Sequence, residues 1–301
     1  MNSLGLFANL LASEEPRAAG IFRSLSGVGL NRRRKSYRMQ SFYPSHVYQR
    51  PAQQTHLETE LALAARIQAR LFPAVLPNLA CCQLAARNRP ALLCGGDYYD
   101  VLPTADDRDG EPYLLCVADV SGKGLPASLL MSNFQATLRT SISYRPPLMD
   151  LVASTNKLLY ATTPPDKFIT AILVNCEPVT GRCIFVNAGH NGGVLIRSNG
   201  EIVILKTTGP PLGMMNDLPF LSDNIELHAG DVLTLYSDGV PEAFDSNGEE
   251  WGDERFMSCL RSCCHLSSQE IVTKVFDELD AFAQNIPQHD DITMLVLKRK
   301  Y

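Results

Sequence analysis

The feature of this sequence that most constrains its fold is a series of strand-length apolar runs bounded by turn residues. Neighbouring runs are separated by short turns at Val179–Gly181 and Ser198–Gly200, which are typical of antiparallel hairpins. Because parallel strands need long crossover connections, this spacing disfavours a doubly wound parallel sheet. The predicted strands are Tyr113–Val120, Phe168–Glu177, Arg182–Ala188, Gly193–Arg197, Glu201–Lys206, Asp231–Tyr236 and Ile292–Lys298.

Helical patterns come in pairs between the strands rather than alternating with each of them. Ser267 and Glu270 have the spacing of a capping box and mark the start of the last helix. Strands such as YLLCVA and ITMLVL are apolar on both faces, as expected for strands covered by a second sheet and by helices. We therefore predict an α+β fold, a four-layer αββα sandwich of two antiparallel sheets flanked by helices. The predicted helices are Leu125–Tyr144, Leu148–Ala161, Asp253–Cys263 and Ser268–Ala283.

The N-terminal part of the chain has a different character from the rest. Residues 1–54 show no sustained periodicity and are predicted to be a poorly ordered leader. Residues 55–73 form a predicted amphipathic linker helix, with a capping box at Thr55 and Glu58 and a stop at Pro73. This helix either packs on the domain core or forms a dimerising or signal-transmitting linker. Residues 74–301 form the predicted main domain.

Composition excludes several classes of protein. The net charge of −5 gives no overall reason to expect nucleic-acid binding, and the basic run at Asn31–Arg38 is interpreted as a solvated tail. The nine cysteines include no paired C-x-x-C spacing for zinc, and several lie in apolar runs. Reduced cysteines of this kind indicate a cytoplasmic protein. No apolar stretch approaches the roughly 20 residues of a membrane span.

Acidic residues stand where the predicted strands end or turn. They are Asp97 in GGDYYD, Asp119 in ADVSGKG, Asp238 in YSDG, and Asp290 with Asp291 in HDDIT. A carboxylate beside an apolar core must be paired, hydrogen-bonded or bound to a metal, because desolvating it alone costs several kcal/mol. Taken singly, each of these aspartates is more often a turn or cap residue.

The same motifs contain few cationic residues, so the aspartates would repel one another if the fold brings them together. Only Lys123 and His289 are nearby in the sequence, so a divalent ion is needed to offset the repulsion. Oxygen ligands without cysteine or paired histidine favour Mg²⁺ or Mn²⁺. Glycine pairs in two of the motifs allow close backbone approach, and Pro126 marks a helix start that would favour an anionic substrate.

Seven motifs in a fixed order resemble those of the PPM family of metal-dependent protein serine/threonine phosphatases, in its bacterial SpoIIE/RsbU-type branch. The resemblance covers roughly Glu58–Tyr301, and an ordered series is far more specific than any one motif. The motifs are GGDYYD, DVSGKGLPASLLM, FITAIL, NAGHNGG, GPPLG, GDVLTLYSDGVPEA and HDDITMLVL.

The resemblance implies two Mn²⁺ or Mg²⁺ ions and a role for each matching residue. Asp97 matches a carboxylate that orients metal-bound water, and Asp97, Asp119, Asp238 and Asp290 are the implied catalytic set. Asp291 occupies the polar position beside Asp290 and could exchange roles with it. The implied metal-binding residues are Asp97, Asp119, Val120 through its carbonyl, Asp238, Asp290 and Asp291.

The resemblance further implies hydrolysis of phosphoserine or phosphothreonine on a regulatory protein by a metal-activated water. The implied substrate is a STAS-type anti-sigma-factor antagonist in bacterial partner-switching signalling, with an upstream sensor or regulator as a further partner. A homodimer through the linker helix is expected from the amphipathic pattern of that helix. The alternative is a catalytically weak or inactive scaffold of the same fold. His190 is a proton donor, a residue that supports the metal ligands, or a turn histidine held by backbone. Glu242 poses the same question, and its simpler interpretation is that it stabilises the loop after Asp238.

Overall fold

The computed structural model describes residues 51–79, 81–105, 110–217, 219–284 and 286–300, with the backbone alone for residues 51–55. Residues 61–301 form one compact unit. The predicted leader lies outside the described residues except for its last four, and the basic run at Asn31–Arg38 lies wholly outside them.

Helix α1 runs over Pro51–Gln68, so Thr55 lies within the helix and Pro73 lies beyond its end. The side-chain amide of Gln68 donates to the carbonyl oxygen of Gly95 at 2.6 Å and accepts from the Gly95 amide at 3.1 Å. The end of α1 is therefore fastened to the loop that leads into Asp97. Within the described residues, no helix is both long enough and apolar enough to cross a bilayer.

Ten strands of the described residues form two antiparallel sheets of five strands each. The first sheet has the order β1-β10-β9-β6-β7, and the second has the order β2-β3-β4-β5-β8. The strands are β1 Cys82–Arg89, β2 Tyr98–Pro103, β3 Tyr113–Val120, β4 Ile169–Cys176, β5 Arg182–Ala188, β6 Gly193–Ile196, β7 Ile202–Leu205, β8 Asp223–Glu226, β9 Val232–Tyr236 and β10 Ile292–Arg299.

Three apolar cores separate four layers of structure. One core lies between the sheets, the second joins the β2-β3-β4-β5-β8 sheet to α2 and α3, and the third joins the other sheet to α4 and α5. The predicted αββα sandwich is therefore confirmed. These helices are α2 Gly124–Ile142, α3 Leu148–Thr162, α4 Gly252–Cys263 and α5 Ser268–Ala283.

The sequence predicted the central strands better than those at the edges. Every predicted strand is present with its ends shifted by no more than one residue, and the capping box of Ser267 and Glu270 is formed. Three strands, β1, β2 and β8, were not predicted, and all three lie at sheet edges. An edge strand is covered less completely, so its sequence needs fewer apolar residues, as the exposed DNIE of β8 illustrates.

Asp100, the second aspartate of GGDYYD, is fully buried in β2 and forms an ion pair with α2. Its Oδ2 atom accepts from Arg139 Nε at 2.8 Å, and its Oδ1 atom accepts from Arg139 Nη2 at 3.1 Å. The Tyr98 hydroxyl also donates to Asp100. This bidentate pair fastens the helix layer to an edge strand and satisfies a charge that would otherwise be costly to bury.

We expect Arg139→Met to lower the free energy of unfolding by about 2 kcal/mol, because Asp100 would remain buried without its cation. Urea denaturation of the full chain measures this. The control is Arg261→Met, since Arg261 is exposed in the last turn of α4 and its loss should cost less than about 0.5 kcal/mol. Equal losses in the two variants would show that the ion pair contributes no more than an exposed arginine.

Candidate active site

The aspartates singled out in the sequence meet at one end of the two sheets. Asp97 immediately precedes β2, and Asp119 is the penultimate residue of β3. Asp238 follows β9 by two residues, while Asp290 and Asp291 lead directly into β10. Each sheet therefore contributes carboxylates from two of its strands. All five are close enough to perturb one another electrostatically, so the structure gathers the whole predicted set.

Asp97 is the most enclosed of these carboxylates, with 2% of its surface exposed. Its Oδ2 atom accepts hydrogen bonds from the hydroxyls of Ser237 and Thr293, each at 2.6 Å. Burial raises the pKa of Asp97 well above its usual range, and the charges of Asp119 and Asp291 raise it further. The carboxyl group is thus held rigidly where its ionised form requires a nearby cation.

Asp119 occupies the centre of the electrostatic network. Burial raises its pKa well above the usual range, and the carboxylates of Asp238, Asp290 and Asp291 add to that shift. A hydrogen bond with Asp97 partly offsets it. Because Asp119 experiences carboxylates from the opposite sheet, its charge is the one most directly stabilised by a cation bound between the sheets.

Asp238 lies in the turn after β9. Burial raises its pKa to about 6, with further contributions from Glu242 and Asp290, while the Gly239 amide and the Lys123 ammonium act in the opposite direction. A carboxylate with this pKa loses its proton near neutral pH, so a cation and a proton compete for it there.

Asp290 and Asp291 have different surroundings although they are adjacent. Asp291 is buried, and its carboxylate accepts from the backbone amides of Ala91 at 2.7 Å and Gly96 at 2.6 Å. Asp290 is half-buried and pairs with Lys123 Nζ at 2.8 Å. The Asp291 carboxylate therefore shapes the loop before β2, whereas the Asp290 carboxylate faces the other acidic groups.

Glycines let the loops of the site approach one another closely. A Cβ atom on Gly96 would lie 2.9 Å from the carbonyl oxygen of Val120, and one on Gly239 would lie 2.0 Å from that of Asp291. Neither position can hold a side chain without displacing backbone. The glycine at 96 thus brings its loop against the Val120 carbonyl, beside Asp119.

His190 connects the two sheets beneath the carboxylates. Its Nε2 atom lies 3.1 Å from the Tyr236 carbonyl oxygen, and its Nδ1 atom lies 2.8 Å from the Thr170 hydroxyl. A carbonyl can only accept, so Nε2 carries the proton and Nδ1 accepts from the hydroxyl. Thr170 pairs with Asp119 across β3 and β4, and Tyr236 lies two residues before Asp238.

The state of His190 argues against the proton-donor interpretation. Burial lowers its pKa to about 4, although the hydrogen bond to the Tyr236 carbonyl opposes this shift. The imidazole is therefore neutral at pH 7, and both of its nitrogens are already engaged. The geometry favours a histidine that fixes the spacing between β4 and β9.

A pocket of about 440 Å³ opens beside Asp290. Glu242 lines it together with Phe244 and His289, whose rings meet edge to face. The Glu242 amide donates to the Asp238 carbonyl oxygen at 2.9 Å, and this bond stabilises the turn after β9. The Glu242 carboxyl group itself lines the pocket and does not hold the turn. Burial raises the pKa of this carboxyl group.

Lys167 is a second cation near the acidic loops. A Cβ atom on Gly122 would lie 2.8 Å from Lys167 Nζ. Ser121 and Phe168 hold the two segments together, because each backbone amide donates to an oxygen of the other residue at 3.0 Å. This places an ammonium group beside the loop that follows Asp119, where an anionic substrate would approach.

The residues that support the carboxylates were not predicted from the sequence. Ser237 and Thr293 lie inside the quoted motifs SDG and DDIT, and their positions next to acidic residues were a usable signal. The roles of Thr170 and Lys167 had no comparable signal, because they depend on which strands become neighbours.

The donor set suits a hard divalent cation. It consists of carboxylates and a backbone carbonyl, and the acidic groups outnumber Lys123 and Lys167. Within the part of the chain that the structure describes, no three acidic, histidine or cysteine side chains are already arranged as ligands of one ion.

Comparisons with known proteins identify the family of this chain. The family model of stage II sporulation protein E (SpoIIE) matches residues 109–300, well over half of the chain. The phosphoserine phosphatase RsbU of Bacillus subtilis (strain 168) is 28% identical over 260 residues, which cover 86% of this chain and 75% of RsbU.

Solved structures show the same fold. The SiaA-PP2C domain of Pseudomonas aeruginosa has a TM-score of 0.71 and 23% identity, covering 82% of this chain and 98% of the SiaA domain. The catalytic domain of the serine threonine protein phosphatase PstP, in complex with two manganese ions, has a TM-score of 0.55 and 17% identity, covering 73% and 99%. The chain therefore belongs to the SpoIIE family, a branch of the metal-dependent PPM (PP2C-type) protein serine/threonine phosphatases.

Proposed function

We propose that this chain hydrolyses phosphoserine or phosphothreonine on a regulatory protein, a STAS-type anti-sigma-factor antagonist, in bacterial partner-switching signalling. The observation that carries the proposal is the convergence of five aspartates from both sheets, several with raised pKa values. The likeness to RsbU, a phosphoserine phosphatase, supports the choice of reaction.

The proposed cofactors are two Mn²⁺ or Mg²⁺ ions, in keeping with the two manganese ions of PstP. Asp119, Asp238, Asp290 and the Val120 carbonyl would hold them. We do not assign Asp291 as a direct ligand, because backbone amides already occupy both of its oxygens. When bound, the ions would lower the pKa of a water molecule and stabilise the charge that develops on the phosphoryl group.

The side chains of the site have separate tasks in this reaction. The Ser237 and Thr293 hydroxyls hold Asp97 through its Oδ2 atom, so its carboxylate is positioned to orient the attacking water and to accept its proton. Lys167 and the N-terminus of α2 favour the approach of a phosphate dianion. No side-chain nucleophile is required.

A scaffold of the same fold with weak or absent turnover is the second candidate. It is favoured by one observation, that no three candidate ligand side chains among the described residues are prearranged for an ion. In either case we place the protein in the cytoplasm, in keeping with its nine free cysteines. We also propose an upstream regulator and a homodimer through α1, where Leu63 and Ile67 are exposed.

Turnover tests the proposed activity directly. With Mn²⁺ or Mg²⁺, the full chain should release phosphate from p-nitrophenyl phosphate and from a serine-phosphorylated STAS-domain protein. Asp119→Asn and Asp238→Asn should each lower kcat/KM by about 100-fold or more, because each removes a charge that holds the ions. The exposed Asp217 supplies the control Asp217→Asn, which should leave kcat/KM unchanged. Metal binding without turnover of either substrate would support the scaffold instead.

The stabilising effect of a bound ion should depend on pH. The raised pKa values of Asp97, Asp119 and Asp238 mean that the folded state binds protons more tightly than the unfolded state. The stability that these groups contribute is complete below their unfolded pKa, near 4, and is lost as pH rises through their folded pKa. A divalent ion replaces the protons, so it should stabilise the chain more at neutral than at acidic pH.

Thermal unfolding measures this difference. Saturating Mn²⁺ should raise Tm by about 5–10 °C near pH 7.5 and by much less near pH 5. The matched variant, Asp119→Asn with Asp238→Asn, should show little ion-induced shift at either pH. An equal shift of the unsubstituted chain at both pH values would mean that protons and ions do not compete for these carboxylates.

Substitution of His190 distinguishes a positioning role from a proton donor. If it fixes the spacing of the sheets, His190→Asn should raise the Mn²⁺ concentration needed for half-maximal activity by about 10–100-fold. A proton donor would instead alter the pH profile of kcat and leave the Mn²⁺ requirement unchanged. The control is His265→Asn, because His265 is exposed after α4. Circular dichroism verifies that the variants remain folded.

A further inference from the structure

Four leucines beside the site are unusually exposed. Leu92 and Leu93 are 59% and 56% exposed in the loop before β2, and Leu125 and Leu129 are 40% and 64% exposed on the first turns of α2. We call these four residues the leucine patch. Single exposed leucines are ordinary, but a group of them marks an interaction surface.

The leucine patch does not belong to the core of the domain. Helix α2 packs on its sheet through Ala127, Met131 and Phe134, all of which are buried. Leu125 and Leu129 are four residues apart and therefore share one face of the helix, which is turned away from this core. Their exposure is thus a property of the free surface.

The leucine patch adjoins the carboxylates. Leu92 lies against the start of α2, since a Cβ atom on Gly124 would be 3.2 Å from its Cδ1 atom. The residue before Leu92, Ala91, donates its amide to Asp291 at 2.7 Å. On the helix side, Lys123 pairs with Asp290 at 2.8 Å. Both parts of the patch are therefore anchored directly to residues of the site.

We propose that the leucine patch is the docking surface for the phosphoprotein substrate, whose apolar surface beside the phosphorylated residue packs on these side chains. This inference rests on the proposed function. A phosphoserine side chain is short, so the substrate backbone that bears it must lie within a few Å of the rim of the site. The patch forms part of that rim, and a protein substrate reaching the carboxylates covers it.

The proposal separates recognition of the protein from the chemistry of the phosphate. In the full chain with Mn²⁺, the double substitution Leu92→Ser with Leu125→Ser should raise KM for a serine-phosphorylated STAS-domain protein by about 10-fold. The docked substrate partly buries both leucines, and the double variant loses the binding energy of that burial. The kcat for this protein and the kcat/KM for p-nitrophenyl phosphate should change less than about 2-fold, because neither depends on the docking contact.

The matched control is Val179→Ser with Leu221→Ser, two exposed apolar residues outside the patch. Val179 lies in the β4–β5 hairpin, at the opposite end of β4 from Thr170. This variant should leave KM for the phosphoprotein unchanged. An equal rise in KM with the control variant would show that loss of any exposed apolar side chain has the same effect, and would overturn the proposal.

A binding measurement keeps the test independent of turnover. In the Asp119→Asn background, the patch substitutions should weaken binding of the phosphorylated STAS-domain protein by about 10-fold, as measured by calorimetry. Unchanged affinity would overturn the docking proposal, even if the phosphatase activity is as proposed. Absence of turnover by the unsubstituted chain would instead overturn the proposed function.

Two further outcomes identify other roles for the patch. Equal losses on the phosphoprotein and on p-nitrophenyl phosphate would show that the leucines support the site itself. A lower sedimentation coefficient of the patch variant relative to the unsubstituted chain would show that a second copy of the chain covers the patch. Either result would overturn the proposal that the substrate docks there.

Discussion

The repulsion among five gathered carboxylates is the interaction on which the rest of this structure depends. Burial and mutual charge raise the pKa values of Asp97, Asp119 and Asp238, so their ionised forms are costly without a cation. Because these carboxylates repel one another, the domain must hold each of them in place through contacts with other residues. The sandwich does this by placing them at strand ends, where the two sheets fix their spacing.

The supporting contacts come from both sheets and differ for each carboxylate. Hydroxyls of Ser237 and Thr293 hold Asp97 across the sandwich, backbone amides hold Asp291, and His190 joins the strands next to Asp119 and Asp238. A neutral histidine suits this place, because a charged one would need its own compensation. These polar contacts fix the positions of the carboxylates, while Asp119, Asp238 and Asp290 face one another.

The sequence predicted the sandwich, its central strands and the carboxylate set, because apolar runs and acidic motifs are local signals. It did not predict β1, β2 and β8, whose edge positions demand less apolar character. It also left Asp290 and Asp291 interchangeable. Their surroundings differ because the loop at Ala91 folds back onto Asp291 while Lys123 pairs with Asp290, and the first of these contacts joins residues 200 positions apart that no local pattern encodes.

The loop held by Asp291 joins the exposed leucine patch to the buried carboxylates. One end of it carries Leu92 on the surface, and the other end carries Asp97 in the interior, with the Ala91 and Gly96 amides bound to the same carboxylate. Gln68, at the end of α1, also forms two hydrogen bonds with Gly95 in this loop. The same contacts therefore position an exposed leucine and a buried carboxyl group at the two ends of one loop.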